Sequence, residues 1–478
     1  MNRRFDLHLL GWFLLFLGGL LALPLPLAWL WHETAMPWVW SALAAAAIGL
    51  GLLASTRTRD RRLHPKDGFL VVTGAWLFAS LLGALPWVFA GILAPVDALF
   101  ETVSGFTTTG STVIPDITVV PRAFVLWRAF TQWLGGMGII LFTIAVLPLL
   151  GIGGMQLFKA EVPGPAEEKL QPRLSNTART LWGIYVGLTT AEWIGLMVLG
   201  MSGFDALCHS FTTLATGGFS TRNQSIGEFA SPAIEWWITV FMVAAGINFL
   251  LHFRLLQGRF RDVARDVELR WFSAIVALAA ALMTATIWKP GVAFADALRT
   301  ACFQTASIIS TTGFVTTDFE RWSSFGQLLL LLLMLVGGMS GSTGGGPKSL
   351  RLVLAVRSLR TVVHRAIHPR AVVLVKYHDH VVDDHTIAGV WGFLFTYAGI
   401  ALATTAAVAL SGYDLLTAVS AALTTLGNVG PGIGEVGAYD NFAHFPGSVK
   451  IVLSFAMLIG RLELFTVLAL LSRRFWRN

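Results

Sequence analysis

Charged residues and cysteines are both scarce in this 478-residue chain. Only 13% of the residues are charged, whereas 55% are hydrophobic and the mean hydropathy is +0.68. This balance excludes an ordinary soluble domain and predicts an integral membrane protein. The two cysteines, Cys208 and Cys302, give no basis for a disulfide framework or a cysteine metal site. The net charge of +7 does not indicate nucleic-acid binding, because the basic residues follow membrane topology.

One short segment occurs four times along the chain. Each copy is an apolar stretch that begins at an Asp, is too short to cross a membrane, and ends in a glycine-containing turn. The Asp residues are predicted to cap four short helices: Asp97, Asp205, Asp296 and Asp414. The last glycines of the four turns are 108, 95 and 117 residues apart, which is a spacing of duplicated domains and not of a solenoid.

The four turns are candidates for a cation-binding ring. Glycine adopts φ values that aim successive carbonyls in one direction, so four turns on a common axis can replace the water around a dehydrated cation. The alternative is a set of ordinary helix C-terminal turns, where glycine is common. The predicted ring residues are Thr108, Thr109 and Gly110; Thr216, Gly217 and Gly218; Thr311, Thr312 and Gly313; and Asn428, Val429 and Gly430.

Long apolar runs flank each copy, and two more precede the first copy. We therefore predict an all-α membrane protein with ten transmembrane helices and four re-entrant pore helices, in four tandem membrane-pore-membrane repeats with a pseudo-fourfold arrangement. The predicted spans cover about 7–31, 38–54, 69–93, 122–150, 178–200, 232–254, 271–288, 325–357, 387–410 and 447–472. The predicted domains are 1–68 for the N-terminal spans and a cytoplasmic loop, and 69–177, 178–268, 269–386 and 387–478 for the repeats.

The distribution of basic residues predicts the orientation. Both termini and the loops near 55–68, 151–180, 254–270 and 348–386 together contain 26 of the 34 Lys and Arg residues. The positive-inside rule places these segments in the cytoplasm, so the four turns open toward the outside.

A glycine-rich segment interrupts the third repeat after the apolar run that ends at Val336. Such a segment does not form a regular helix, and irregular backbone at membrane depth is tolerated only inside protein or beside a water-filled cavity. We predict a gating loop across the pore beneath the ring; the alternative is a cytoplasmic linker after Val336. A phosphate-binding loop is excluded because Pro347 stands where Lys is required. The predicted gate residues are Gly337, Gly338, Gly341, Ser342, Thr343, Gly344, Gly345 and Gly346.

Arg461 is an isolated charge near the middle of the last predicted span. A charge at that depth is costly unless it faces water or a partner, so we predict that Arg461 belongs to the gate on the pore axis. The alternatives are an ion pair with Glu463, although residues two apart do not share a helix face, and a contact with a carbonyl of another span. Glu101 and Arg128 are predicted to support the ring by packing.

The segment 377–385 contains three His and three Asp residues. Alternation places His378 and His380 on one strand face, which is compatible with a metal site. Because the segment follows the apolar stretch 371–375, a solvated hairpin between the third and fourth repeats is the preferred interpretation.

These features together resemble the TrkH branch of the Trk/Ktr/HKT potassium transporter superfamily. The resemblance rests on the four turns, the glycine-rich break and three motifs, and it covers nearly the whole chain. The motifs are Trp133-Leu-Gly-Gly-Met-Gly-Ile139, Gly153-Gly-Met-Gln-Leu157 and Gly460-Arg461-Leu-Glu463. The family's filter glycines then fall on Gly110, Gly218, Gly313 and Gly430, where Gly218 is chosen over Gly217 because Phe219 follows it as Phe314 follows Gly313.

The resemblance implies potassium uptake in the inner, cytoplasmic membrane of a prokaryote. It implies potassium at the filter carbonyls as the substrate, no cofactor in this chain, and no enzymatic activity. It also implies a homodimer and a cytosolic, nucleotide-binding regulatory subunit of the TrkA type, with the intramembrane loop and Arg461 as the gate. The alternatives are an ion-coupled secondary carrier and a sodium-permeable cation transporter; in the HKT relatives a Ser in the first turn accompanies sodium transport. An intramembrane enzyme is disfavoured because no buried catalytic set can be assembled.

Overall fold

The computed structural model describes residues 3–56, 65–145, 170–377, 380–473 and 475–476. Nearly all of these residues are helical or lie in short connections, and the described residues contain one two-stranded sheet. That sheet pairs β1 (Lys376–Tyr377) with β2 (His380–Val381) in antiparallel register, which confirms the predicted hairpin. The Gly153–Leu157 motif and His378 lie outside the described residues.

The N-terminal region is a helical hairpin attached to the first repeat. It contains α1 (Arg3–Leu21), α2 (Pro24–Leu30) and α3 (Met36–Ser55). Gly11 and Gly49 allow α1 and α3 to cross closely, because a Cβ on either would lie about 3 Å from the carbonyl oxygen of the other. Glu33, between α2 and α3, accepts hydrogen bonds from the backbone amides of Arg122 and Ala123 at 2.6 and 3.0 Å. Its carboxylate thereby caps a helix of the first repeat from another part of the chain.

Each predicted repeat contains a long helix, a short buried helix and a second long helix or helix pair. The first has α4 (Pro65–Gly83), α5 (Leu85–Phe89), α6 (Pro95–Phe106) and α7 (Arg122–Ala145). The second has α8 (Leu170–Val198), α9 (Gly203–Leu214), α10 (Pro232–Gly246), α11 (Phe249–Leu256) and α12 (Phe260–Ala264). The third has α13 (Val267–Ile287), α14 (Phe294–Ile309), α15 (Ser324–Met334) and α16 (Ser349–Ile367). The fourth has α17 (Asp384–Ala409), α18 (Leu415–Gly427), α19 (Gly447–Arg461) and α20 (Leu464–Leu471).

The predicted Asp caps are correct only in the fourth repeat. Asp414 is the residue before α18, and its carboxylate accepts hydrogen bonds from the amides of Leu416 and Thr417. In the other three repeats the helix begins earlier, so the Asp lies within the first turn. In α9 the cap is Ser202, which accepts a hydrogen bond from the amide of Asp205. An acidic residue in the first turn still interacts favourably with the positive end of the helix dipole.

Three of the second long helices are interrupted, and two of these interruptions were not predicted. The expected span 232–254 bends by 103° between α10 and α11, and the expected span 447–472 bends by 115° between α19 and α20. In the third repeat the predicted glycine-rich break separates α15 from α16. Within the described residues, six helices are long and apolar enough to cross a membrane, or eight if each bent pair counts as one span.

The repeats contact one another in a cyclic order. The second long helix of each repeat packs on the short helix of the next: α7 on α9, α10 on α14, α15 on α18, and α19 back on α6. Ion pairs connect two of these contacts. Glu235 of α10 lies 2.8 Å from Arg299 of α14, and Lys450 of α19 lies 2.6 Å from Asp97 of α6. The short helices are therefore held at the centre of the protein by neighbouring repeats.

Candidate functional site

The four turns after the short helices have the same backbone conformation. In each turn a residue with positive φ is followed two positions later by a glycine with positive φ. The first members are Thr108, Thr216, Thr311 and Asn428, with φ between +52° and +64°. The second members are Gly110, Gly218, Gly313 and Gly430, with φ between +75° and +108°. Gly218, and not its neighbour Gly217, therefore matches the glycines of the other three turns.

A repeated hydrogen bond ends each short helix. The amide of the residue before the glycine donates to the carbonyl five residues earlier; the pairs are Thr109 to Ser104, Gly217 to Thr212, Thr312 to Ser307 and Val429 to Thr424, at 2.8–2.9 Å. This is the bond of a Schellman cap, in which a left-handed residue reverses the chain. Here that residue is Thr or Asn, so the turns do cap their helices, and the glycine two residues later has another purpose.

The glycine at the second positive-φ position of each turn allows close contact between neighbouring turns. A Cβ on Gly110 would overlap the carbonyl oxygen of Gly217 in the second turn. The same overlap would occur from Gly218 to Thr312, from Gly313 to Val429, and from Gly430 to Thr109. Each turn therefore contacts the next through a carbonyl, and the last turn contacts the first. Only glycine permits this backbone approach at a positive φ.

One cavity is lined by all four of these glycines. It has a volume of about 110 Å³, and the loops that follow the turns form the rest of its wall. Asn223 of this wall donates a hydrogen bond to Asp116 at 2.8 Å. Hydrogen bonds from Thr118 and Asn223 hold the pKa of Asp116 below its usual range, so this surface residue is negatively charged at neutral pH. Asp116 lies beside this wall, while the charged residues that line the cavity itself are Arg128, Arg222 and Asp440.

Glu101 and Arg128 form a buried ion pair behind the first two turns. The Arg128 Nε lies 2.5 Å from a carboxylate oxygen of Glu101. Glu101 also accepts a hydrogen bond from the amide of Val113 at 2.9 Å, while Arg128 donates to the carbonyl of Ser220 at 3.1 Å. The pair thus connects the chain after the first turn with the chain after the second.

Gln132 supports the second turn and was not singled out from the sequence. Its amide nitrogen donates to the carbonyl of Gly217 at 2.5 Å, and its amide oxygen accepts from the amide of Phe219 at 3.1 Å. One side chain therefore spans Gly218 on both sides. The sequence shows an amide side chain within the apolar part of α7, but its partner Gly217 is 85 residues away along the chain, so the pairing could not be predicted.

The glycine-rich segment 337–346 forms a loop beneath the turns. Other elements hold it through hydrogen bonds: Met339 donates to the carbonyl of Gly246, Phe249 donates to the carbonyl of Gly341, and Thr343 donates to the carbonyl of Ala245. The first two are 2.9 and 3.1 Å long. These contacts place the loop at the bend between α10 and α11.

The loop also touches the turns themselves. The amide of Gly345 donates to the hydroxyl of Thr311 at 2.6 Å. A Cβ on Gly345 would overlap the carbonyl oxygen of Gly427, and one on Gly344 would lie 2.8 Å from that of Ser310. Because these atoms end the third and fourth short helices, the loop lies directly against that side of the turns.

Arg461 contacts backbone carbonyls and not the nearby Glu463. Its side chain is 2% exposed and donates to the carbonyl of Thr343 at 2.7 Å and to that of Gly135 at 3.1 Å. Glu463 instead forms an ion pair with Arg351 at 2.5 Å. Of the sequence alternatives, the Glu463 pair is wrong and the contact with carbonyls of other elements is found. Arg461 thus connects α19 to both the loop and α7.

No group of three His, Cys, Asp or Glu side chains with metal-binding geometry occurs among the described residues. His380 of the segment 377–385 pairs with Tyr377 in the hairpin. The oxygen atoms at the turns are backbone carbonyls together with neutral side-chain oxygens such as Thr108 Oγ1 and Asn428 Oδ1, which have no hydrogen-bond partner in the described part of the chain.

Comparisons with known proteins place the chain in one family. A family model for the TrkH cation transport proteins matches residues 39–477. The Trk system potassium uptake protein TrkH of Escherichia coli K12 is 40% identical over 429 residues, covering 88% of each chain. The TrkG protein of the same strain is 34% identical over 430 residues, covering 89% of this chain and 88% of TrkG.

A solved structure agrees over the whole chain. The crystal structure of the potassium transporter TrkH from Vibrio parahaemolyticus superimposes with a TM-score of 0.91 at 37% sequence identity, and covers 100% of both chains. The predicted resemblance is confirmed. The matched family and relatives are transport proteins, as predicted from the sequence, and not enzymes. The chain belongs to the TrkH family of cation transport proteins.

Proposed function

We propose that this protein carries potassium into the cell through a channel-like pore whose selective element is the ring of four turns. The observation that carries the proposal is the cyclic contact of the turns around a cavity lined by their four glycines. Carbonyl oxygens in such a ring replace the hydration shell of a cation. Gly110 in the first turn and the names of the relatives favour potassium over sodium as the ion.

The loop 337–346 and Arg461 form the gate in this proposal. The loop lies against the inner side of the third and fourth turns, where it obstructs the path of an ion. Arg461 adds a positive charge at the same depth and holds the loop through the carbonyl of Thr343. A fixed positive charge in a poorly solvated passage repels a cation, so both features oppose conduction in this conformation.

The proposed assembly contains ten spans in the cytoplasmic membrane and four re-entrant helices in a pseudo-fourfold arrangement. The count adds α7 and the α15–α16 segment to the six helices and two bent pairs that satisfy length and composition. The repeats keep the boundaries 69–177, 178–268, 269–386 and 387–478. We further propose a homodimer and a cytosolic TrkA-type nucleotide-binding subunit that moves the loop, since the relatives are parts of a Trk system.

Rubidium uptake in a bacterium without its own potassium uptake systems tests the proposal. Expression of the chain with its regulatory partner is expected to restore uptake, and potassium is expected to compete much better than sodium. Equal competition by sodium would favour the sodium-permeable alternative.

Purified protein in liposomes separates a pore from a carrier. With potassium as the only permeant cation, flux through a pore follows the membrane potential and needs no second ion gradient. If flux appears only when a proton or sodium gradient is imposed, the channel-like mechanism is wrong.

A further inference from the structure

Glu268 holds two parts of the gating loop with one oxygen atom. It lies in the first turn of α13 and is 3% exposed. Its Oε1 accepts a hydrogen bond from the backbone amide of Ser340 and another from the hydroxyl of Ser349, both at 2.7 Å. Ser340 lies near the start of the loop, and Ser349 is the first residue of the helix that follows it. The carboxylate therefore joins the beginning and the end of the loop.

The two ends of the loop lie close together at Glu268, so its hydrogen bonds to Ser340 and Ser349 constrain the residues between those two positions. The amide of Ser349 donates to the carbonyl of Gly338 at 3.1 Å, which brings the two ends together. The intervening arch carries Thr343 and Gly345, which contact Arg461 and the third turn. The part of the loop between Ser340 and Ser349 is therefore expected to move away from the turns when these two hydrogen bonds break.

The two bonds are strong for their kind. A carboxylate acceptor gives shorter and stronger hydrogen bonds than a neutral one, and burial removes competition from water. The described contacts of the loop with α10, α11 and the third turn involve backbone or hydroxyl groups and are individually weaker. Arg461 adds a charged donor, but to the carbonyl of Thr343 in the middle of the loop. Among the described residues that contact segment 337–349, Glu268 is the one that reaches both of its ends.

We propose that Glu268 is a positioning residue that clamps the base of the gating loop and stabilises the closed conformation. The inference rests on the proposed function, because it assigns a residue outside the glycine-rich segment to the same gate. In this view, opening requires the Ser340 and Ser349 bonds to break together, which makes the movement of the loop cooperative.

Two substitutions separate hydrogen bonding from charge. Glu268→Ala removes the acceptor, whereas Glu268→Gln keeps an Oε1 that accepts both bonds without the charge. Glu192→Ala is the matched control: Glu192 is also a fully buried carboxylate in the first long helix of a repeat, and no described contact joins it to the loop. Ser349→Ala removes one bond and serves if Glu268→Ala does not fold.

Hydrogen exchange of the full-length protein measures the clamp without reference to transport. Glu268→Ala is expected to speed amide exchange in segment 337–349 by about tenfold or more, since it removes two hydrogen bonds to a charged group. Ser349→Ala is expected to have a smaller effect in the same direction. Glu268→Gln keeps the acceptor without the charge, so it is expected to speed exchange less than Glu268→Ala does. Glu192→Ala is expected to leave exchange in this segment close to that of the native protein. Unchanged exchange in Glu268→Ala, or equal acceleration in Glu192→Ala, would overturn the clamp.

Potassium flux in liposomes measures how the Glu268 clamp affects conduction. Without the regulatory subunit, Glu268→Ala is expected to raise basal flux by about tenfold at unchanged preference for potassium over sodium, because the closed state alone loses stability. Faster exchange with native flux would overturn the role in gating, and altered ion preference would mean that Glu268 acts on the turns. If the native protein and a loop-shortened variant both fail to conduct potassium, the proposed function fails, while hydrogen exchange still decides the clamp.

Discussion

The four turns and the loop beneath them are both rich in glycine, but the glycines serve different purposes. In the turns, each of the four ring glycines faces a backbone carbonyl oxygen of the next turn, which cannot swing aside as the end of a side chain can. In the loop the surroundings are mixed. Gly344 and Gly345 also face backbone carbonyl oxygens, whereas a Cβ on Gly341 would lie 2.9 Å from the Asn248 amide and one on Gly338 would lie 2.8 Å from the Ser342 hydroxyl.

The hydrogen bonds of the two regions differ in the same way. Each turn ends its own helix with a local backbone bond that recurs in all four repeats. The loop depends on groups from distant elements, among them Thr311, Glu268 and Arg461. The turns are therefore fixed by local geometry and by contact with one another, whereas the loop is fixed by contacts with several distant elements.

The largest expected effect comes from Gly313→Ala in the third turn. The added methyl group overlaps the carbonyl oxygen of Val429 and is forced into a positive φ, so we expect potassium uptake to be lost. Gly412→Ala is the matched control, because Gly412 also has a positive φ but has open space around its Cβ position. Rubidium uptake at equal membrane expression is the measurement. Native uptake by Gly313→Ala would show that the contact between turns is dispensable.

Removal of residues 338–345 tests the loop side of the comparison. Gly337 and Gly346 lie side by side, with a Cβ on Gly346 placed 2.9 Å from the Gly337 Cα, so the two ends can be joined. We expect flux without the regulatory subunit to rise by about tenfold, since the obstruction is gone while the turns remain. Flux and ion competition in liposomes measure this. A loss of potassium preference would place the loop in the selective element.

Arg461→Ala is expected to raise potassium flux by several-fold. The change removes a positive charge beneath the turns and the two hydrogen bonds to Thr343 and Gly135. Arg461→Lys separates these contributions, because lysine keeps the charge but cannot reproduce the fork of a guanidinium. If potassium flux rises only in Arg461→Ala, the charge is a barrier to the ion. If flux rises in both variants, the paired hydrogen bonds of the guanidinium hold the loop in place. Unchanged flux in folded Arg461→Ala would make the residue structural.

Gly110→Ser is expected to have the smallest effect and to concern selectivity. The side chain overlaps the carbonyl oxygen of Gly217, but the other nearest atoms are also glycine backbone, whereas a Cβ on Gly313 also meets the Pro431 ring at 2.8 Å. We therefore expect the preference for potassium over sodium to fall by about tenfold or less, without loss of transport. The control is Gly91→Ser, where φ is also positive but no atom lies near the Cβ position. Competition of the two ions for rubidium uptake measures the outcome. Wild-type discrimination by Gly110→Ser would mean that the first turn does not select.

The sequence was informative about the turns because they recur. Four copies of one pattern fixed the short helices and the glycine of each turn to within a few residues. It was less informative about helix starts, since an Asp in the first turn and an Asp at the cap look alike in one sequence. That ambiguity explains why Asp414 caps its helix as predicted while Ser202 replaces Asp205.

Features that depend on distant partners could not be predicted. The bend after Gly246 has no proline at the break, and the amide of Phe249 there donates to Gly341 in the loop. The bend after Arg461 places Glu463 at φ +62° and pairs it with Arg351, 112 residues away. Glu268 lies in the predicted cytoplasmic loop near 254–270, and nothing near it in the chain indicates that its partners are Ser340 and Ser349.

The two ion pairs between repeats favour the observed neighbours at two of the four contacts. Glu235 faces Arg299 of the third repeat, and Lys450 faces Asp97 of the first. If residues 65–268 paired with a second copy of themselves, the helix carrying Glu235 would instead pack on the one carrying Asp97. Two carboxylates would then meet in a partly buried contact, which costs several kcal/mol in comparable interfaces. Residues 65–268 on their own are therefore expected to make a poor partner for a second copy of themselves at this contact.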